Sequence, residues 1–285
     1  MDVTNSMFAQ ANIPAEGDFE RVYSTATLVL RATPTFLTHW ARGVNVYFAP
    51  VTALLGFGFG WLPQDATPAQ SVLLDHAKAQ EIGADTDVLF ERAMANVVTK
   101  AKQQLAARTD VLGAPIPLVE AKLGGTEAAR IAGPGDEGAA LSGALAKTRQ
   151  WLVDNRGWKN PLVMPLSDRR IWFFDEDVDA VQSALTMAVG RGVSEHTICP
   201  LPFSISRAGD LSEYALEQTH PGFSTWMQIR LGLLEDAYTQ QGKVCEASPA
   251  AYGQVAPFEI GADPASPEHP ASFTALVPAP LSSVP

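Results

Sequence analysis

His196-Thr-Ile-Cys199 sets an imidazole and a thiol three residues apart, with Glu195 alongside. A cysteine nucleophile with a histidine base would use those residue types, and so would a zinc site. Zinc needs about four N or S ligands, and only His220 and Cys245 remain to complete such a set. Cys199 lies inside the apolar run TICPLPF. A reactive thiol needs an electropositive, accessible setting, so the run predicts a buried structural cysteine with His196 at the surface. Asp168, Asp175, Glu176, Asp177 and Asp179 crowd one end of an expected hairpin. Clustered carboxylates can hold a divalent cation. Turn duty for Ser167-Asp168 and helix capping for Asp175 account for these residues without a metal. Gly56-Phe-Gly-Phe-Gly60 lacks the helix-opening glycine of a dinucleotide site, so its glycines predict a turn or a close backbone approach. The motifs G-x-x-x-x-G-K-[ST], G-x-S-x-G and H-E-x-x-H do not occur. The weak catalytic candidates are therefore Asp168, His196 and Cys199, with Arg169-Arg170 beside them, and no cofactor or metal is expected.

The composition narrows the class. The apolar fraction of 46% is ample for a core. A net charge of −11, with basic residues clustered only in pairs such as Arg169-Arg170, argues against nucleic acid as a partner, because a phosphate-tracking surface needs clustered Lys and Arg. The same deficit disfavours an anionic membrane. The N-terminal residues show no basic segment followed by an apolar run, and two cysteines make no disulfide framework, so a cytoplasmic, reduced setting is expected. Residues 44–63 carry no charge and have the length of a membrane span. Pro50, Pro63, three glycines and a Val-Asn-Val-Tyr-Phe alternation predict strands there instead.

The elements that must position these groups follow from periodicity. Residues 1–19 read as an arm. Strands are expected at 22–31, 44–50 and 53–62, with a short helix at 70–80. Leu89, Ala93, Val97 and their helical neighbours make 86–107 an amphipathic helix capped by Asp85 or Thr86. The Gly- and Pro-rich stretch 111–136 reads as loops around at most one strand. A helix over 137–154, a hairpin of 161–166 with 169–174, a helix from Asp175, and a proline-interrupted strand at 197–206 follow. Residues 211–241 read as helix broken at His220-Pro221-Gly222. The expected fold is α/β (α+β), a mixed sheet with flanking helices over 20–245, in halves 20–125 and 137–245. A mobile, Pro-rich acidic tail is expected at 246–285.

Two blocks carry a resemblance. In LLDHAKAQEIGADTDVLFERAMANV (73–97), Ala93, Ala95 and Asn96 fall on a helix-ending pattern. In 144–174, Pro165 and Asp168 fall on a strand ending in P-x-x-D, followed by a second apolar strand. The chain thereby resembles a bacterial family of uncharacterised proteins, a domain of unknown function. The resemblance implies an α/β fold and no catalytic residue.

No acid, base, nucleophile and ligand assemble into one constellation. The expected function is a soluble, non-catalytic interaction or accessory protein, with a protein partner or self-association through Trp158, Trp172 and Trp226 as aromatic anchors. An enzyme with its site at the 165–199 hairpin and helix start, using Asp168, Asp175, His196 and Cys199, is the first alternative. A structural subunit of a larger assembly is the second.

Overall fold

The computed structural model describes residues 23–44, 46–61, 72–75, 80, 83, 85–106, 112–131, 144–167, 170–191 and 198–247, with tail stretches 254–255, 259–263, 266–273 and 276–277. The fold is α+β, and every strand pairing in it is antiparallel.

The first sheet is centred on β3 (Leu55–Trp61). Strand β1 (Ala26–Ala32) pairs along one side in a seven-residue register from Ala26↔Trp61 to Ala32↔Leu55. Strands β2 (Phe48–Pro50) and β4 (Val72–Leu73) share the other side end to end. Within the segment expected as a helix at 70–80, Val72 and Leu73 form β4 and Gln80 is helical, and the bridge Val46↔Asp75 extends the pairing. The ladder offered by β3 draws Val72 and Leu73 into strand against the helical spacing.

The glycines of 56–60 lie within strand β3, and the chain reverses before them, at 51–54. Alternation along a strand puts all three on one face. Helix α1 (Thr33–Ala41), opened by Pro34, packs Phe36 onto that bare face. A Cβ added at Gly58 would lie 2.7 Å from the Phe36 ring and 2.9 Å from Leu73. Phe36 is fully buried and stacks on Phe48 at 4.7 Å. The opposite face carries Phe59, which meets Tyr47 and, edge-on, Phe90 of α2 (Thr86–Ala106). Asp85 caps α2 through the backbone N–H groups of Asp87 and Val88. Leu89, Ala93 and Val97 then pack with Ala26, Leu28 and Phe59.

The second sheet has the order β10-β9-β7-β8-β6-β5. Residues 118–131, expected to hold at most one strand, form the hairpin β5 (Leu118–Leu123) and β6 (Thr126–Ile131). Gly124 and Gly125 both take positive φ, as a two-residue hairpin turn requires. Helix α3 (Leu145–Arg156) ends at Gly157 in a left-handed conformation. Then come β7 (Pro161–Ser167), β8 (Arg170–Asp175), α4 (Val178–Arg191), β9 (Phe203–Ile205) and β10 (Leu211–Glu213).

β6 runs parallel to β7 with β8 between them, and β8 parallel to β9 with β7 between them. Both connections, through α3 and α4, step the same way across the sheet but start from oppositely directed strands. Right-handed crossovers then place α3 and α4 on opposite faces. Arg156 at the end of α3 bonds Glu120 and Glu127, which share the face of Val163, Phe173 and Phe203. α4 crosses β5, β6 and β8. It buries Ala180, Val181, Ala184, Leu185 and Ala188, while Val178 and Val189 at its two ends are exposed.

The helix expected to begin at 211 is instead β10 followed by α5 (Phe223–Ala247), because Pro221-Gly222 forces a fresh start. α5 packs on α1 and α4. Leu30, Leu54 and Leu55 of the first sheet belong to the same buried cluster as the second sheet. The tail contains β11 (Gln254–Val255), β12 (Glu259–Asp263), β13 (Ser266–Phe273) and β14 (Leu276–Val277), paired β11 with β14 and β12 with β13. Among the described residues, no helix is long and apolar enough to cross a membrane.

The glycine face makes the first testable statement. Gly58→Ala overpacks the Phe36 contact and costs about 1–3 kcal/mol. Phe36→Ala leaves a cavity and costs about 3–5 kcal/mol. Urea unfolding followed by tryptophan fluorescence measures both. A Gly58→Ala protein as stable as the parent would disprove the close approach.

Candidate functional site

The groups with chemistry lie toward opposite ends of the β7–β8 hairpin: Asp175, Glu176 and Asp177 at its open end, beside the end of α3 and the start of α4, and Cys199 nearer its turn, beside Pro165 and Leu166. Of the three catalytic candidates, Asp168 and His196 lie outside the described residues, as does Arg169. Cys199 is fully buried. Prolines 200 and 202 hold β9 to three residues, and the preceding segment reaches β7 by two bonds. The N–H of Ile198 donates to the carbonyl of Leu166 at 3.1 Å, and that of Cys199 to Pro165 at 2.9 Å. Burial pushes the Cys199 thiol far above the usual range, a backbone hydrogen bond from Leu201 pulls it partly back, and the charge of Glu213 pushes it up again. A thiolate is the form that attacks or binds metal, and this environment suppresses it.

The acidic residues hold the chain together. Asp175, expected as the cap of α4, is still part of β8, opposite Pro161. Its carboxylate accepts from the backbone N–H groups of Lys159 (3.1 Å) and Asn160 (2.8 Å), which fixes the link from α3 into β7. The cap is Asp177, two residues later, bonded to the N–H groups of Asp179 and Ala180 at 3.0 and 3.1 Å. The ladder therefore keeps β8 extended past the point where the helix signal begins. Glu176 accepts from the Asn160 side-chain amide and from the Tyr214 hydroxyl, the latter at 2.7 Å. Burial pushes the Tyr214 phenol well up, and the Glu176 carboxylate adds to it. Among the described residues, no three His, Cys, Asp or Glu side chains gather as a metal-holding group.

The tryptophans also differ from the expectation. Trp158 and Trp226 are 5% and 6% exposed, so neither is a surface anchor. Trp158 follows the left-handed Gly157, which turns the chain back into the core. Arg230, one turn after Trp226 on α5, lies 5.7 Å from the centre of its ring and bonds Glu213 of β10 at 3.0 Å. Trp172 is half-buried on β8, opposite Arg130 and Met164.

Two polar pairs escaped the sequence reading, Glu176–Tyr214 and Glu213–Arg230. Both depend on β10, a strand of three residues with no periodicity to detect. The four-residue spacing of Trp226 and Arg230 is visible in the sequence as one helix face. The described residues of this region orient backbone and lock elements, and none of them is an activated nucleophile. No protein-family profile, curated protein or solved structure matches the chain.

Both cysteines are free and buried. Ellman's reagent at pH 8 should therefore leave the native protein unlabelled and titrate both thiols after unfolding. Rapid native labelling of Cys199 would contradict its burial. Tyr214 gives a linkage prediction. Its folded pKa lies above its unfolded value of about 10, so its contribution is intact below that pH and declines as pH rises beyond it. Tyr214→Phe should show a shallower alkaline loss of stability than the parent. Identical alkaline profiles would exclude the Glu176 contact.

Proposed function

We propose that this chain is a soluble, non-catalytic interaction protein that works through its surface, in a cytoplasmic setting and with a protein partner. One observation carries the reading. Within the described part of the 151–206 region, four groups that could do chemistry have structural duties: Cys199 is buried in the core, Asp175 clasps the 159–160 backbone, Glu176 holds Tyr214, and Asp177 caps a helix. An enzyme site needs groups left unsatisfied until substrate arrives. Two unpaired, buried cysteines accord with a reducing compartment.

The test is the hydrodynamic size of the untagged chain in fresh extract of its native cells. Elution well ahead of the purified chain at trace concentration is expected, and the early fraction should contain a companion, or further copies, in fixed stoichiometry. Elution at the monomer position overturns the reading. Cys199→Ala adds a second check. It should lower stability through the core, by about 1–3 kcal/mol, and leave the complex intact. A folded variant that loses the complex would mean that the thiol serves the function directly.

A further inference from the structure

The second sheet ends at β5, and among the described residues no strand pairs with its outer edge. The hairpin turn fixes which backbone groups point out. In a two-residue hairpin the flanking pair, here Leu123↔Thr126, is a hydrogen-bonded pair. Ala121 and Val119 therefore bond inward to β6, and Leu118, Glu120 and Lys122 present their N–H and C=O groups outward. Leu118 confirms the phase, because its N–H donates to Ile116 and its carbonyl accepts from Leu112, both at 2.8 Å and both away from β6. Among the described residues, the outward groups of Glu120 and Lys122 have no partner, and both residues are exposed.

The outer edge of β1 in the first sheet is different. Leu30 is fully buried there, its carbonyl accepts from Arg31 at 2.6 Å, and that of Ala26 accepts from Asn96 at 2.9 Å. Those side chains blunt that edge. β5 carries charges of both signs instead. Glu120, Lys122 and Glu127 lie on one face, with Lys122 directly opposite Glu127 on β6.

We propose that two copies of this chain join edge to edge through β5, antiparallel about a two-fold axis at Ala121. The inference deepens the interaction reading above by naming a second copy as partner. In this register Glu120 of each copy stands opposite Lys122 of the other. Both are outward-bonding residues, so the two pairs exchange four backbone hydrogen bonds. The charges then alternate across the junction as Glu127, Lys122 and Glu120 of the second copy, with Arg156 of each copy bridging its own Glu120 and Glu127, and opposite charges directly across strands attract. Register slips by two residues set Glu120 against Glu120, or Lys122 against Lys122, so charge selects this pairing. The small Ala121 side chain sits at the axis without a clash. The contact is short, which places the dimer in the weak, concentration-dependent class.

Sedimentation velocity of the full purified chain over a concentration series, at fixed ionic strength, tests this. A shift from monomer toward dimer is expected with rising concentration. Lys122→Glu sets like charges against each other in both pairs and should weaken association about tenfold. Glu120→Lys should do the same. Lys122→Pro removes an outward donor without touching the β5–β6 ladder, so the dimer should be lost while the circular dichroism melt persists. A chain that stays monomeric at every concentration overturns the pairing. A dimer indifferent to Lys122→Pro and to the charge exchanges overturns it equally. If the same chain elutes as a larger species in native extract, only the β5 pairing falls and the interaction reading stands.

Discussion

Strand β7 sets the terms for the rest of the second sheet. Both its odd and its even residues from Pro161 to Leu166 are buried, so both faces and both edges must be covered. Neighbours β8 and β9 cover the edges. α3 packs on one face of β7, and α4 lies on the other side of the sheet over β5, β6 and β8, because the two crossovers start from oppositely directed strands. The irregularity between Pro165 and Ser167 is the local cost of proline in so central a strand. Past that point, the extended segment at Ile198 and Cys199 continues the cover.

This constraint also explains the fate of the polar residues. A doubly covered sheet places its loops at the ends of long strands, where backbone N–H groups must be satisfied. Asp175, Glu176 and Asp177 meet that need at the junction of α3, β7, β8 and α4. Tyr214 and Arg230 extend the network to β10 and α5, and Arg230 fastens the last helix to the sheet edge through Glu213 and Trp226. A region rich in carboxylates thus becomes a fastening. The first sheet joins the same core through a different device: β3 is bare on one face, Phe36 fills that face, and α1 is thereby brought against α5.

Much of this was legible in the chain. The strand at β1, the helix α2 with its Asp85 cap, the β7–β8 hairpin and the α+β class follow from period, capping and β-branched content. The β5–β6 hairpin was not, because Ala, Glu and Lys dominate LVEAKL and TEAARI and hide the alternation. β4 and β10 were not, because strands of two and three residues exist only through the neighbours that pair with them. The exposure expected for Trp158 and Trp226 failed for a related reason: an indole can serve core or surface, and only the packing partner decides.

The sequence by itself determined the classes of element and a formal net charge of −11. Those depend on local period and residue type, which act over a few neighbours. Tertiary structure alone decided that the glycine run is a strand face for Phe36, that Asp175 clasps a loop while Asp177 caps the helix, and that Cys199 is held as a buried thiol. It also decided which strand ends the sheet, and so which backbone groups face outward. Each of these depends on contacts between residues far apart in the chain, and their energy is set by burial and hydrogen-bond partners that no local window contains.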